Sequence, residues 1–179
     1  MRFIKNIFIA GLLILTMAQC GVHKDVGRKP DESGRYERNT PVVKRSKKAQ
    51  IKEVVNFAQK FVGVSYRYGG KTPESGFDCS GFVSYAYKRV GVNLSPASSY
   101  MALSGKKVKF KKIKKGDLMF FTGSDKNKRE VGHVALVVNN DSGIIKMIHA
   151  SSSRGVVIDT YNTSKYYNER FLFAKRIIY

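Results

Sequence analysis

Acidic residues are scarce in this chain: 13 Asp and Glu stand against 33 Lys and Arg in 179 residues, giving a formal charge of +20 and a pI near 10.1. So large an imbalance points to an anionic partner such as nucleic acid, an anionic lipid surface or an anionic polymer, without choosing among them. Cysteine is nearly absent, with Cys20 and Cys79 alone, so at most one intrachain disulfide is open to the chain. Long apolar runs are missing too, since Ile7 to Leu15 is too short for a comfortable membrane span. The sequence has no P-loop, no dinucleotide glycine fingerprint, no cysteine pair at metal-ligand spacing and no internal repeat, which removes those nucleotide-binding, zinc and solenoid classes. What remains, 42% hydrophobic and 26% charged, suits one globular domain with an N-terminal appendage.

The appendage reads as an export segment. Arg2 and Lys5 precede the apolar run, no acidic residue occurs before Asp25, and Met17-Ala18-Gln19-Cys20 closes it. A cysteine at that place resembles the lipobox of bacterial lipoproteins, in which it is acylated and becomes the first residue of the mature protein; Gln19 departs from the small residue usual before it. The expectation is therefore a signal peptide over residues 1–19, a lipid anchor at Cys20, and a polar, basic tether over 20–48 broken by Gly27, Pro30, Gly34 and Pro41. A lipidated Cys20 leaves Cys79 without a disulfide partner in an oxidising compartment, which suggests that its thiol is used.

The domain is expected over 49–179. Ile51, Val54, Val55, Ala58 and Phe61 recur at helical spacing, predicting a helix from Ala49 to Val62 ahead of Gly63. Phe82, Val83, Ala86, Tyr87 and Val90 predict a second helix that starts at Asp78-Cys79 and ends at Gly91. Ser95-Pro96 predicts a short third, with Ser95 as cap and Pro96 at its first position. After Gly105 the period becomes that of strands: 108–110, 118–121, 133–138, 144–150, 156–160 and 171–178, with Asn139 to Gly143 as a hairpin signal. Helices first and strands afterwards predict an α+β fold with a mostly antiparallel sheet of five to six strands.

Chemistry gathers at Cys79. With Asp78 as N-cap, the thiol occupies the first helical turn, where free N–H groups and the positive end of the helix dipole stabilise a thiolate. A buried structural cysteine is the plainer alternative. The domain holds only two histidines, His133 at the start of one apolar strand and His149 inside the next. Strands joined by a short turn would bring the rings together, giving the thiol a base and the base an orienting group.

Five blocks then match a known family in order: Tyr66-Arg67-Tyr68-Gly69-Gly70, Phe77-Asp78-Cys79-Ser80-Gly81-Phe82-Val83, Lys115-Gly116-Asp117-Leu118-Met119-Phe120-Phe121, Gly132-His133-Val134-Ala135-Leu136 and His149-Ala150-Ser151. From Ile51 to Ile178 the chain resembles the NlpC/P60 cysteine peptidases, papain-like enzymes that cut stem peptides of bacterial cell walls. The resemblance implies Cys79 as nucleophile, His133 as general base and later acid, and His149 as its orienting partner. It also implies Tyr66 on the cleft beside the thiol, and Asp78 with Ser80 binding a substrate's free amine; helix capping for Asp78 and a solvent-facing first turn for Ser80 are the structural alternatives. Lys115 departs from the proline usual before Gly-Asp.

The implied activity is hydrolysis of peptidoglycan stem peptides or cross-links, at a γ-D-glutamyl-diamino acid or D-Ala-diamino acid bond, by a monomer that needs no metal and no cofactor. The implied location is the cell envelope, anchored through Cys20 to a membrane, the outer one in a Gram-negative organism, and facing the periplasm or the surface. A CHAP-type amidase, another papain-like acyl-transfer enzyme and a non-catalytic wall-binding lipoprotein are the alternatives. Nucleic-acid binding is disfavoured by the export segment and by basic residues that are scattered rather than striped. The densest basic run, Lys106 to Lys115, reads best as a lysine-protected strand edge.

Overall fold

The computed structural model describes residues 45–179. The expected signal peptide, Cys20 and the tether up to residue 44 lie outside the described residues. Helix α1, Lys47–Gln59, is capped by Ser46, whose hydroxyl accepts the Ala49 N–H at 3.2 Å. It starts two residues before the expected Ala49 and stops three before Val62, because the chain turns at Lys60 and reaches Gly63 at φ +92°. A two-stranded ribbon follows, β1 (Lys71–Thr72) and β2 (Gly76–Phe77), then α2 (Cys79–Lys88) and α3 (Ser98–Met101). Ser95 and Pro96 do not start α3 as expected. Ala97 is its N-cap, and the Ser95 hydroxyl instead accepts the Ala97 N–H at 3.3 Å in a local turn.

The strands that follow are β3 (Lys106–Val108), β4 (Asp117–Thr122), β5 (Val131–Asp141), β6 (Ile144–Ser151), β7 (Gly155–Thr160) and β8 (Phe171–Arg176), with α4 (Lys165–Arg170) before β8. All neighbours are antiparallel in the order β3-β8-β4-β5-β6-β7. The expected strand at 108–110 lies earlier, and Phe110 opens a single 3-10 turn. The β5–β6 hairpin turns on two residues only, Ser142 (φ 50°) and Gly143 (φ 88°), as a tight turn with two positive φ values requires. Asn139, Asn140 and Asp141 belong to β5.

The sheet is buried on both faces, which is why its central strands read as continuous apolar runs. On one face Leu118, Phe120, Val134, Leu136 and Ile148 pack with Val54, Val55, Phe82, Val83 and Ala86 of α1 and α2. On the other, Met119, Phe121, Ala135, Val137 and Met147 lie under Tyr161 and Tyr167. Burying each of these larger side chains contributes about 2 kcal/mol. The Tyr87 hydroxyl donates to the Gly116 carbonyl at 2.5 Å and ties α2 to the turn before β4. At the start of β4, the buried Asp117 carboxylate is forked by Arg176 at 2.7 and 2.8 Å and accepts the Lys114 N–H at 2.8 Å. Lys106 and Lys107 stand on the edge strand β3 and are exposed, whereas Lys111 and Lys112 belong to the 3-10 turn.

Candidate functional site

Cys79 is the first residue of α2. Asp78 caps the helix: one carboxylate oxygen accepts the Gly81 N–H at 2.7 Å and the other the Gly69 N–H at 2.9 Å. The helix start is thereby fixed to the glycine loop of residues 69–70, and the Cys79 thiol opens on a cavity of about 720 Å³ whose wall includes Tyr66 and His133. Ser80 is not solvent-facing. It is 5% exposed, and its hydroxyl lies 3.0 Å from the Asp78 carboxylate and 2.8 Å from the Pro96 carbonyl. Asp78 and Ser80 do not line this cavity, and their contacts seat the first turn of α2.

His133 is aimed by an irregularity. Phe121 pairs with His133, yet the next residue of β4, Thr122, pairs with Val131, leaving Gly132 as the extra residue of a bulge. The backbones of Gly132 and Gly123 approach so closely that a side chain at residue 132 would overlap Gly123. Val137 pairs with Met147 and Met147 with Asp159, which puts these three on one face of the sheet. His149 is two residues on from Met147 and His133 four before Val137, so both share that face. His133 Nε2 lies 3.1 Å from His149 Nδ1, with the rings 5.0 Å apart and nearly perpendicular.

Beyond His149, the last of the residues the sequence singles out, the chain of contacts continues. His149 is fully buried behind the cavity wall; its Nε2 lies 3.0 Å from Asp159 Oδ2 and 3.2 Å from the Tyr167 hydroxyl. Arg154 donates to both Asp159 oxygens, at 3.0 and 2.5 Å. Asp159, Arg154 and Tyr167 were missed. A carboxylate among the β-branched residues of 156–160, beside a strand carrying a histidine, was the one available signal.

Electrostatics modify one expectation. Burial pushes the Cys79 thiol up from its ordinary value; the Val134 N–H opposes this, the Asp78 charge adds to it, and the Ser80 and Cys79 amides again oppose it. The helix start therefore does not prevail over desolvation, and the resting group is a thiol. Burial also pushes the His133 imidazole down to about 3, with His149 adding to the effect, so at neutral pH the ring is unprotonated and can accept a proton. The Tyr66 phenol is pushed up, first by burial and then by Cys79, and remains an O–H donor at the cleft. Hydrogen bonds from His149 and then Arg154 hold the Asp159 carboxyl well below the usual carboxylate range. Among the described residues no cluster of three or more His, Cys, Asp or Glu could hold a metal ion, and no helix is long and apolar enough to cross a membrane.

The NlpC/P60 family profile matches residues 63–176. The chain is 32% identical over 124 residues to the gamma-DL-glutamyl hydrolase of Bacillus subtilis, covering 69% of this chain and 29% of that protein. It is 32% identical over 117 residues to the murein DD-endopeptidase MepS/murein LD-carboxypeptidase of Escherichia coli, covering 65% and 57%. Among solved structures, an NlpC/P60 family protein from Bacillus cereus superposes with a TM-score of 0.64 at 32% identity, over 72% of this chain and 40% of that one. The chain thus spans less than two thirds of the length of the curated relatives it matches.

Proposed function

The chain belongs to the NlpC/P60 family, and on that footing we propose that it is a cysteine peptidase of the bacterial cell envelope that hydrolyses peptidoglycan stem peptides or their cross-links. The observation that carries this reading is the meeting of Cys79 and His133 on one cavity, with His133 bonded from behind by His149. Relatives named as a gamma-DL-glutamyl hydrolase and a murein DD-endopeptidase support the substrate class. For the bond itself we propose a γ-D-glutamyl-diamino acid linkage or a D-Ala-diamino acid cross-link, the first supported by a relative from Bacillus cereus named a gamma-D-glutamyl-L-lysine dipeptidyl-peptidase.

The geometry supports the following roles. His133 takes the Cys79 proton as the sulfur attacks the scissile carbonyl, forming a carbon–sulfur bond. The oxyanion is met by the first N–H groups of α2, with Tyr66 bordering the cleft. Collapse breaks the carbon–nitrogen bond, and His133 delivers its proton to the leaving amine. Water then attacks the thioester, giving its proton to His133, and the second collapse releases the acid and restores the thiol. His149 orients His133 without reacting. Arg170 on the cavity wall gives it positive charge where a stem peptide brings carboxylates, Arg154 beside it being paired with Asp159. We further assign residues 1–19 as a signal peptide, Cys20 as the lipid anchor, the residues from 20 up to the Ser46 cap of α1 as a basic tether and the remainder as the catalytic domain, an arrangement that would put the enzyme on a membrane facing the wall.

Digestion of purified peptidoglycan and defined muropeptides, with mass analysis of the products, tests this. Wild type should cleave, Cys79→Ala and His133→Ala should leave no cleavage while remaining folded, and His149→Ala should lose less than either. Substantial cleavage by Cys79→Ala or His133→Ala would overturn the assignment.

A further inference from the structure

We propose that Asp159, clamped by Arg154, is a positioning residue that dictates the proton on both histidines and so decides which nitrogen of His133 is free to take the Cys79 proton. This rests on the peptidase reading above and extends it by two residues beyond His149.

The donors and acceptors along this row fix the protons. Arg154 donates to both Asp159 oxygens, so Asp159 is held as a carboxylate and can only accept. Its Oδ2 stands 3.0 Å from His149 Nε2. A lone pair on that nitrogen would face the carboxylate repulsively, so Nε2 carries the proton. With one proton per ring, His149 Nδ1 is an acceptor, and the atom facing it at 3.1 Å is His133 Nε2, which must therefore donate. The only lone pair left on His133 is at Nδ1, the nitrogen not engaged by His149. The Tyr167 hydroxyl, 3.2 Å from His149 Nε2, fits as a second acceptor of the same N–H. A catalytic histidine in the opposite tautomer would present an N–H to the thiol and could not act as base.

Register explains why this falls to residue 159. Asp159 pairs with Met147, two residues from His149 on the same face of β6, so it reaches the ring diagonally across the strands. Arg154 comes from the β6–β7 turn and is half exposed, so it can hold the carboxylate without itself being buried.

The test does not need the substrate. In the full chain carrying Cys79→Ala, ¹⁵N shifts of the ring nitrogens should show both His133 and His149 protonated at Nε2 and not at Nδ1. With Cys79 present, Asp159→Asn offers His149 an amide N–H, reverses both tautomers and should slow alkylation of Cys79 by iodoacetamide at pH 7 about 10²-fold. On peptidoglycan the same variant should lower kcat with KM kept. Protonation of His133 or His149 at Nδ1 in the Cys79→Ala chain, or an Asp159→Asn variant with unchanged ring shifts and alkylation rate, would overturn the proposal. If instead the tautomers are as stated and wild type cleaves no wall peptide, the peptidase reading fails while the tautomer assignment stands.

Discussion

The Gly70 carbonyl accepts the Asp78 N–H at 3.0 Å and lies so close over Gly81 that a Cβ at residue 81 would overlap it. The first turn of α2, and Cys79 with it, is therefore seated directly on the backbone of the glycine loop. Gly81→Ala should force the two backbones apart, destabilising the domain by about 3 kcal/mol. Displacing the thiol by even about 1 Å should lower activity roughly 10²-fold. Chemical denaturation and peptidoglycan cleavage measured on the same variant check both, and wild-type activity in Gly81→Ala would show that the thiol does not depend on this seat.

The directions of the two shifts define the activity profile. His133 must be unprotonated to act as base, and burial lowers its pKa from the ordinary 6.5 to about 3. The acid limb of kcat/KM should therefore lie well below that of an ordinary histidine, with the rate at pH 5 within about twofold of that at pH 7. Since burial raises the Cys79 thiol, the alkaline limb should lie above that of an ordinary cysteine. A pH series of wall-peptide cleavage checks both limbs, and an acid limb centred near pH 6.5 would contradict the buried-imidazole picture.

The same burial sets acid stability. Between pH 6.5 and about 3 the unfolded chain protonates His133 while the folded one does not, so stability falls as pH falls through that window. Asp159 acts in the same sense lower down: its depressed carboxyl adds stability above its ordinary 3.8, and that stability is lost as pH drops further. In His133→Gln the first contribution disappears. Its unfolding free energy should change less between pH 7 and pH 4 than that of wild type, as read from denaturant titrations at each pH. Equal slopes for the two proteins would mean that His133 does not titrate across folding.

Where the determinants are local, the sequence was legible. Asp78 caps the helix that begins at Cys79 because its carboxylate needs to reach only three residues on, and the apolar period of residues 82–90 marks the buried side of that helix. His133 and His149 lie on strands joined by a two-residue turn, so their approach also follows from nearby residues. The short α4 and the β1–β2 ribbon escaped notice because six and two residues are too few to show a period. Ser95 and Pro96 formed a cap signal that the local Ser95 turn absorbed.

By itself the sequence determined the α+β order, the thiol at a helix start and the histidine pair behind it, since each is written in spacings of a few residues. Only the tertiary structure decided the bulge at Gly132 that aims His133, the diagonal reach of Asp159 to His149, the burial of Ser80 and the upward shift of the Cys79 thiol. Those depend on strand register and on how much water the packed chain excludes. Both are sums over distant residues that no local pattern records.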